Sequence, residues 1–247
     1  MSIQRHALTS LLVVSWALLG SAQEPELPPG LDRPDVAAVG SGALFRLPSG
    51  PALDMLPVLD GSGRVRFWVA KTEVRWQNYV AFCQATRRQP IGVPAKKHWD
   101  HPVNNLTLSE AQAFCEWAKL SLPSAKEWAL AAYGPQQQRY PWGAASAAGR
   151  GNFCDRSCPE PWSWKESERD DGFPYTAPVG SFPSGAAPCG ALDMGGNVWE
   201  WCQPAPGGSS VARGGGWCSP TSTAAAERAF EPSTRWGGLG FRPILRP

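Results

Sequence analysis

From Tyr140 to Ser209, glycine, proline, serine and aspartate recur so closely that turns leave no room for a long helix or strand. A chain built this way needs another source of rigidity. It has one in tryptophan: thirteen of them stand among 26 glycines and 25 prolines in 247 residues, which predicts a loop-rich fold pinned by large rings. The densest such stretch is Asp193-Met194-Gly195-Gly196-Asn197-Val198-Trp199-Glu200-Trp201. Its glycines permit positive φ or close backbone approach, its acids offer hard oxygens, and its two tryptophans anchor the loop. Taken alone it also fits a glycine turn running into a short strand. In this chain it reads as a structural hub.

The flanks bound what surrounds that hub. Arg5, an apolar run from Ala7 to Leu19 and the small residues Gly20 and Ala22 have the form of a secretory signal peptide, residues 1–22, with cleavage expected after Ala22. Residues 23–41 are proline-rich and polar and read as a linker, so the domain is expected over 42–247. All seven cysteines lie beyond residue 22 and are expected in an oxidising, periplasmic compartment. A net charge of +2 with no basic stripe argues against nucleic acid, and no segment beyond the leader is apolar enough for membrane insertion.

Regular structure is expected early. Arg64 to Lys71 alternates as a strand does, and Gln77 to Thr86 has helical spacing with Tyr79, Phe82 and Cys83 on one face. Thr107-Leu108-Ser109-Glu110 and Ser124-Ala125-Lys126-Glu127 are both capping boxes. The first predicts a helix over Leu108–Lys119 burying Ala111, Phe114, Cys115 and Ala118; the second predicts one that ends at Gly134-Pro135. Short strands joined by long loops should follow to the C-terminus.

Several separated stretches then fall into a recognisable order: Tyr140-Pro141-Trp142-Gly143, Asp171-Gly172-Phe173, Thr176-Ala177-Pro178-Val179-Gly180, Gly196 to Trp201, Arg213-Gly214-Gly215 and Gly240-Phe241-Arg242. His101-Pro102-Val103 and Leu122-Pro123-Ser124 with Glu127-Trp128 add to them. Over roughly residues 42–243 the chain resembles the formylglycine-generating-enzyme-like, or sulfatase-modifying-factor, domain family. The resemblance implies an α+β, C-type-lectin-like fold with little regular secondary structure.

The family's enzymes carry two cysteines a few residues apart just after the Arg-Gly-Gly strand, a thiolate pair suited to cuprous copper. Here Cys218 is the only cysteine after that strand. One thiol does not make the two-coordinate site, so no catalytic residue is assigned. A related branch uses iron held by three histidines, whereas beyond the leader this chain has only His98 and His101. The pair reads as structural or solvated.

Calcium is the cofactor the resemblance does imply, in a structural role. The matching positions are Asn152, Phe153, Asp171 and Phe173 for one ion, and Asp193, Gly196, Val198 and Glu200 for another. Cys154 and Cys158, three residues apart, are expected to form a local disulfide. Cys83 and Cys115 are bridged or simply buried, and because seven is odd at least one thiol is free or intermolecular. Two functions compete. One is a non-catalytic exported module that binds a protein partner in the cell envelope, a membrane-kinase pathway component or an outer-membrane lipoprotein, as regulators of type VI secretion do through threonine phosphorylation. The other is a periplasmic oxidative maturation enzyme of the PvdO type, with a site near Trp217, Cys218 and Arg228.

Overall fold

The computed structural model describes Leu31–Asp32 and residues 42–247; the expected signal peptide lies outside the described residues. Among these are nine strands: β1 (Leu31–Asp32), β2 (Ala43–Phe45), β3 (Leu53–Leu59), β4 (Val65–Ala70), β5 (Trp199–Trp201), β6 (Val211–Arg213), β7 (Glu227–Ala229), β8 (Leu239–Gly240) and β9 (Ile244–Leu245). Three α-helices, α1 (Trp76–Thr86), α2 (Leu108–Ala118) and α3 (Ala125–Tyr133), fall between β4 and β5. One sheet runs β1-β2-β3-β4-β9 and the other β7-β6-β5-β8, with β5 and β8 parallel and all other pairs antiparallel. This is the expected α+β class. The linker expectation did not foresee β1, which pairs Leu31 with Phe45 and Asp32 with Leu44 inside the segment read as 23–41.

Both capping boxes form. The Thr107 hydroxyl accepts from Glu110 N and the Glu110 carboxylate accepts from Thr107 N, and Ser124 and Glu127 do the same for α3. Each glutamate also receives an arginine from the C-terminal segment, Arg235 on Glu110 at 2.7 Å and Arg246 on Glu127 at 2.8 Å. The helix starts thus hold the returning chain in place. Thr107→Ala and Ser124→Ala are each expected to cost about 1 kcal/mol, read as a lower urea midpoint with an unchanged m-value.

The helices bury the faces their periodicity predicts. Tyr79, Phe82, Phe114, Trp201 and Phe241 belong to one core cluster that ties α1 and α2 to β5 and β8. Trp128, Ala131, Met194 and Ile244 belong to a second, under α3. The long stretch after α3 holds only a 3₁₀ turn, Pro183–Gly185, before β5. Frequent turns and positive-φ glycines leave no length for more.

Candidate functional site

All nine residues from Asp193 to Trp201 are buried, which is what a hub requires. Gly196 turns with φ 99°, and a Cβ there would lie 2.6 Å from Asn152 O, so only glycine allows the two backbones to meet. Asn197 N donates to that same carbonyl at 2.8 Å, and the Asn152 amide donates to Asn197 Oδ1 at 3.2 Å. The two stretches expected to hold calcium are therefore joined through Asn152 and Asn197. The indoles of Trp199 and Trp201 donate to Ser219 Oγ and Leu106 O, tying the strand to two further segments.

Beneath the hub lies a buried charge cluster. Arg242 donates from Nε and Nη2 to the Glu200 carboxylate at 2.9–3.1 Å, from Nη1 to Ala70 O and from Nη2 to Leu192 O. The Trp128 indole donates to Glu200 Oε2 at 2.7 Å. Asp193 accepts from Gly180 N at 2.5 Å, and Glu73 accepts from Asn197 Nδ2 at 3.1 Å. Three carboxylates thus face one guanidinium away from water. Burial first, then the neighbouring Asp193, pushes Glu73 well above the usual carboxylate range; burial likewise pushes Asp193 up to about 6. The sequence reading assigned no chemistry to residues 64–86. Glu73 corrects that: it enters beside Val74 at the start of the α1 segment and completes this cluster.

The first expected calcium set converges. Asp171 Oδ2 accepts from Phe153 N and Oδ1 from Phe173 N, both at 2.9 Å, while burial pushes its carboxyl up to about 6. Asn152 Oδ1 is buried with no hydrogen-bond partner. A buried oxygen acceptor without a donor, in the segment that Asp171 holds through Phe153 N, suits a hard cation. In the second set Glu200 is already engaged by Arg242 and Trp128, so a divalent ion there would sit against a guanidinium. Of that set's two carboxylates, only Asp193 is clear of Arg242 hydrogen bonds. The residues therefore fit calcium at the first set and fit it poorly at the second.

His98 Nδ1 lies 3.2 Å from His101 Nε2, and His101 Nδ1 lies 3.0 Å from Thr176 Oγ1, so the two rings partner each other and a hydroxyl. Burial lowers the His101 pKa. Among the described residues no group of three or more His, Cys, Asp and Glu side chains is placed to hold a metal.

The remaining feature is an aromatic face. Trp162 stacks on Trp164 with ring centroids 5.5 Å apart, and Trp217 lies against both Trp162 and Tyr175. Trp164 and Tyr175 are 45% and 56% exposed, large values for such rings. Beneath them Cys154, Cys158 and Cys218 are buried, and the first two sulfurs are 2.8 Å apart. Sequence reasoning passed over Trp162, Trp164, Asn197 and Arg242 as site residues. For Arg242 a signal existed: Glu200 between two tryptophans demanded a buried cation.

A domain described as sulfatase-modifying factor enzyme 1-like matches residues 54–247. Inactive C-alpha-formylglycine-generating enzyme 2 of Bos taurus is 34% identical over 170 residues, covering 63% of this chain and 54% of that protein. The chain thus spans about half that relative's length. The formylglycine-generating enzyme of Streptomyces coelicolor is 29% identical over 237 residues, 84% of this chain and 69% of that one. Among solved structures, Treponema denticola variable protein 1 superposes with a TM-score of 0.62 at 16% identity, over 85% of this chain and 100% of that one. PvdO from Pseudomonas aeruginosa superposes with a TM-score of 0.56 at 18% identity, over 90% and 100%. Likeness at these identities concerns the fold.

Proposed function

Because the chain belongs to the sulfatase-modifying factor enzyme 1-like family, we propose that it is a non-catalytic member which binds a protein partner through its aromatic face, stabilised by calcium at Asn152, Phe153, Asp171 and Phe173. The observation that carries this is the state of Cys218. It is the only cysteine after β6, so the two closely spaced thiols that follow the Arg-Gly-Gly strand in the family's enzymes are not both present, and burial pushes the one that remains up to about 12. A relative that bears the word inactive in its own name supports the same view. Trp164 and Tyr175 offer apolar area with few rotamers to freeze, which favours recognition of another protein. The proposed compartment is the periplasm and the proposed partner an envelope protein. Type VI secretion controlled by threonine phosphorylation is the first process to examine.

Capture from cell envelopes tests this directly. One defined membrane protein or lipoprotein is expected with the native chain and with Cys218→Ala, and it should be lost with Tyr175→Ala. Loss with Cys218→Ala in a folded protein would instead favour a maturation enzyme working near Trp217, Cys218 and Arg228.

Calcium is tested separately. At a concentration of about 100 times its dissociation constant it should stabilise the native protein by about 2.7 kcal/mol, read as a rise in melting temperature. Asp171→Asn and Asn152→Ala are expected to abolish most of that rise. Equal rises in both variants would remove calcium from this site.

A further inference from the structure

The segment Trp162–Glu166 crosses the three buried thiols in an ordered way. The Trp164 indole donates to Cys218 O at 3.1 Å, the Lys165 ammonium donates to Cys158 O at 2.5 Å, and Glu166 N donates to Cys154 O at 2.9 Å. Three consecutive residues thus each hold the carbonyl of one cysteine. The Glu166 carboxylate is itself fixed by Thr221 N and Oγ1, both at 2.8 Å. Cys154 N donates to Ser219 O at 2.8 Å, which sets the Cys154 loop against the Cys218 loop. The three cysteines and Trp217 form one apolar cluster, closed by Trp162 and Trp236. Within that cluster the Cys154 and Cys158 sulfurs lie 2.8 Å apart, and Cys218 packs in the same buried group.

Cys154 and Cys158 are free thiols 2.8 Å apart, and a disulfide between them would leave a third thiol beside it. That arrangement is not inert. We propose that Cys154, Cys158 and Cys218 form one thiol–disulfide exchange centre, covered by the strap of Trp162–Glu166 and charged by a disulfide of low molecular weight or on a protein. In the charging step Cys154 and Cys158 lose two electrons and two protons to form their S–S bond, and the donor disulfide is reduced to two thiols. In the exchange step the Cys218 sulfur attacks Cys158 Sγ, the Cys154–Cys158 bond breaks, a Cys158–Cys218 bond forms, and the Cys218 proton passes to Cys154. No net oxidant is consumed in the second step. The result moves a covalent link from within one loop to between two loops under the aromatic face.

The strap explains why such a centre is quiet when closed. Burial holds the Cys154 and Cys218 thiols protonated, and only a thiolate attacks a disulfide. Opening it breaks three hydrogen bonds to carbonyls and separates Trp162 from Trp217, a local event that leaves both sheets intact. The other four cysteines take no part: Cys83 and Cys115 lie in the main core, and Cys189 and Cys202 pack with the α3 cluster. The exchange goes beyond the binding role proposed above, although the two share Trp164.

The test uses the purified native chain, reduced, then oxidised with glutathione disulfide, trapped with an alkylating agent and mapped without reduction by mass spectrometry. Both Cys154–Cys158 and Cys158–Cys218 linkages are expected in the native protein. Trp164→Ala should raise the rate of oxidation at least tenfold, and Cys154→Ser should leave Cys158–Cys218 alone. A native map with Cys154–Cys158 only and Cys218 always alkylated overturns the proposal. That map needs no variant, so a poorly folded Cys154→Ser protein does not blunt it.

Discussion

Replacing Arg242 with methionine is expected to lower stability by about 3–5 kcal/mol, the usual cost of leaving a buried carboxylate without its cation. For a chain of this size that is a fall of roughly 6–20 °C in melting temperature. The guanidinium holds Glu200 with Nε and Nη2 while satisfying Ala70 O and Leu192 O, so its loss strands one charge and two carbonyls at once. Arg242→Lys is expected to rescue little, because one ammonium cannot reach a carboxylate and two divergent carbonyls in a fixed fork. Arg242→Met combined with Glu200→Gln should recover part of the loss, since the glutamine carbonyl still accepts from Trp128 and no charge is stranded. A drop under about 1 kcal/mol for the single variant, measured by denaturation, would mean that the cluster is solvated and not the keystone.

How far the sequence foretold this arrangement depends on the kind of signal each part carries. The capping boxes of α2 and α3 are local: four residues contain donor, acceptor and spacing, and both helices start where those residues say. The ordered glycine and tryptophan motifs placed the fold family. The charge cluster is another matter. Glu73, Asp193, Glu200 and Arg242 come from segments up to 169 positions apart, and no periodicity links them. What was legible was the need: a carboxylate in Trp199-Glu200-Trp201 cannot be buried unpaired, and Phe241-Arg242-Pro243 offers a cation between apolar neighbours. Assigning Glu200 to calcium satisfied that need with an ion, whereas the fold satisfies it with Arg242. The strap over Cys154, Cys158 and Cys218 was illegible for a different reason. Its ties run from two side chains and one amide to backbone carbonyls, which carry no residue identity.

Two of the three carboxylates around Arg242 are expected to make the protein's stability fall as pH rises. Glu200 is neutralised by the guanidinium, which leaves Glu73 and Asp193 side by side with burial raising both. Glu73 Oε2 finds no donor, an orphan that a proton shared with Asp193 would satisfy. Because both folded-state values lie above the unfolded ones, the folded chain binds more protons. The favourable contribution is therefore complete below about pH 4 and is lost as pH rises through about 6 and beyond. The capping glutamates act at lower pH and with opposite sign. Burial pushes Glu110 and Glu127 up, but their arginine and cap hydrogen bonds outweigh it and hold both below the usual range, so their contribution is lost only in acid. Asp171, also raised to about 6, adds to this loss while the lowered His101 opposes it, and with three raised carboxyls against one lowered imidazole the melting temperature should decline between pH 5 and 8 in the native protein. Glu73→Gln should flatten that decline and raise stability at pH 8, since its amide keeps an acceptor for Asn197 and supplies the donor that the proton otherwise provides. A native profile already flat over this range, or a Glu73→Gln profile that parallels it, would show that the pair holds no shared proton and that something other than protonation compensates the excess negative charge.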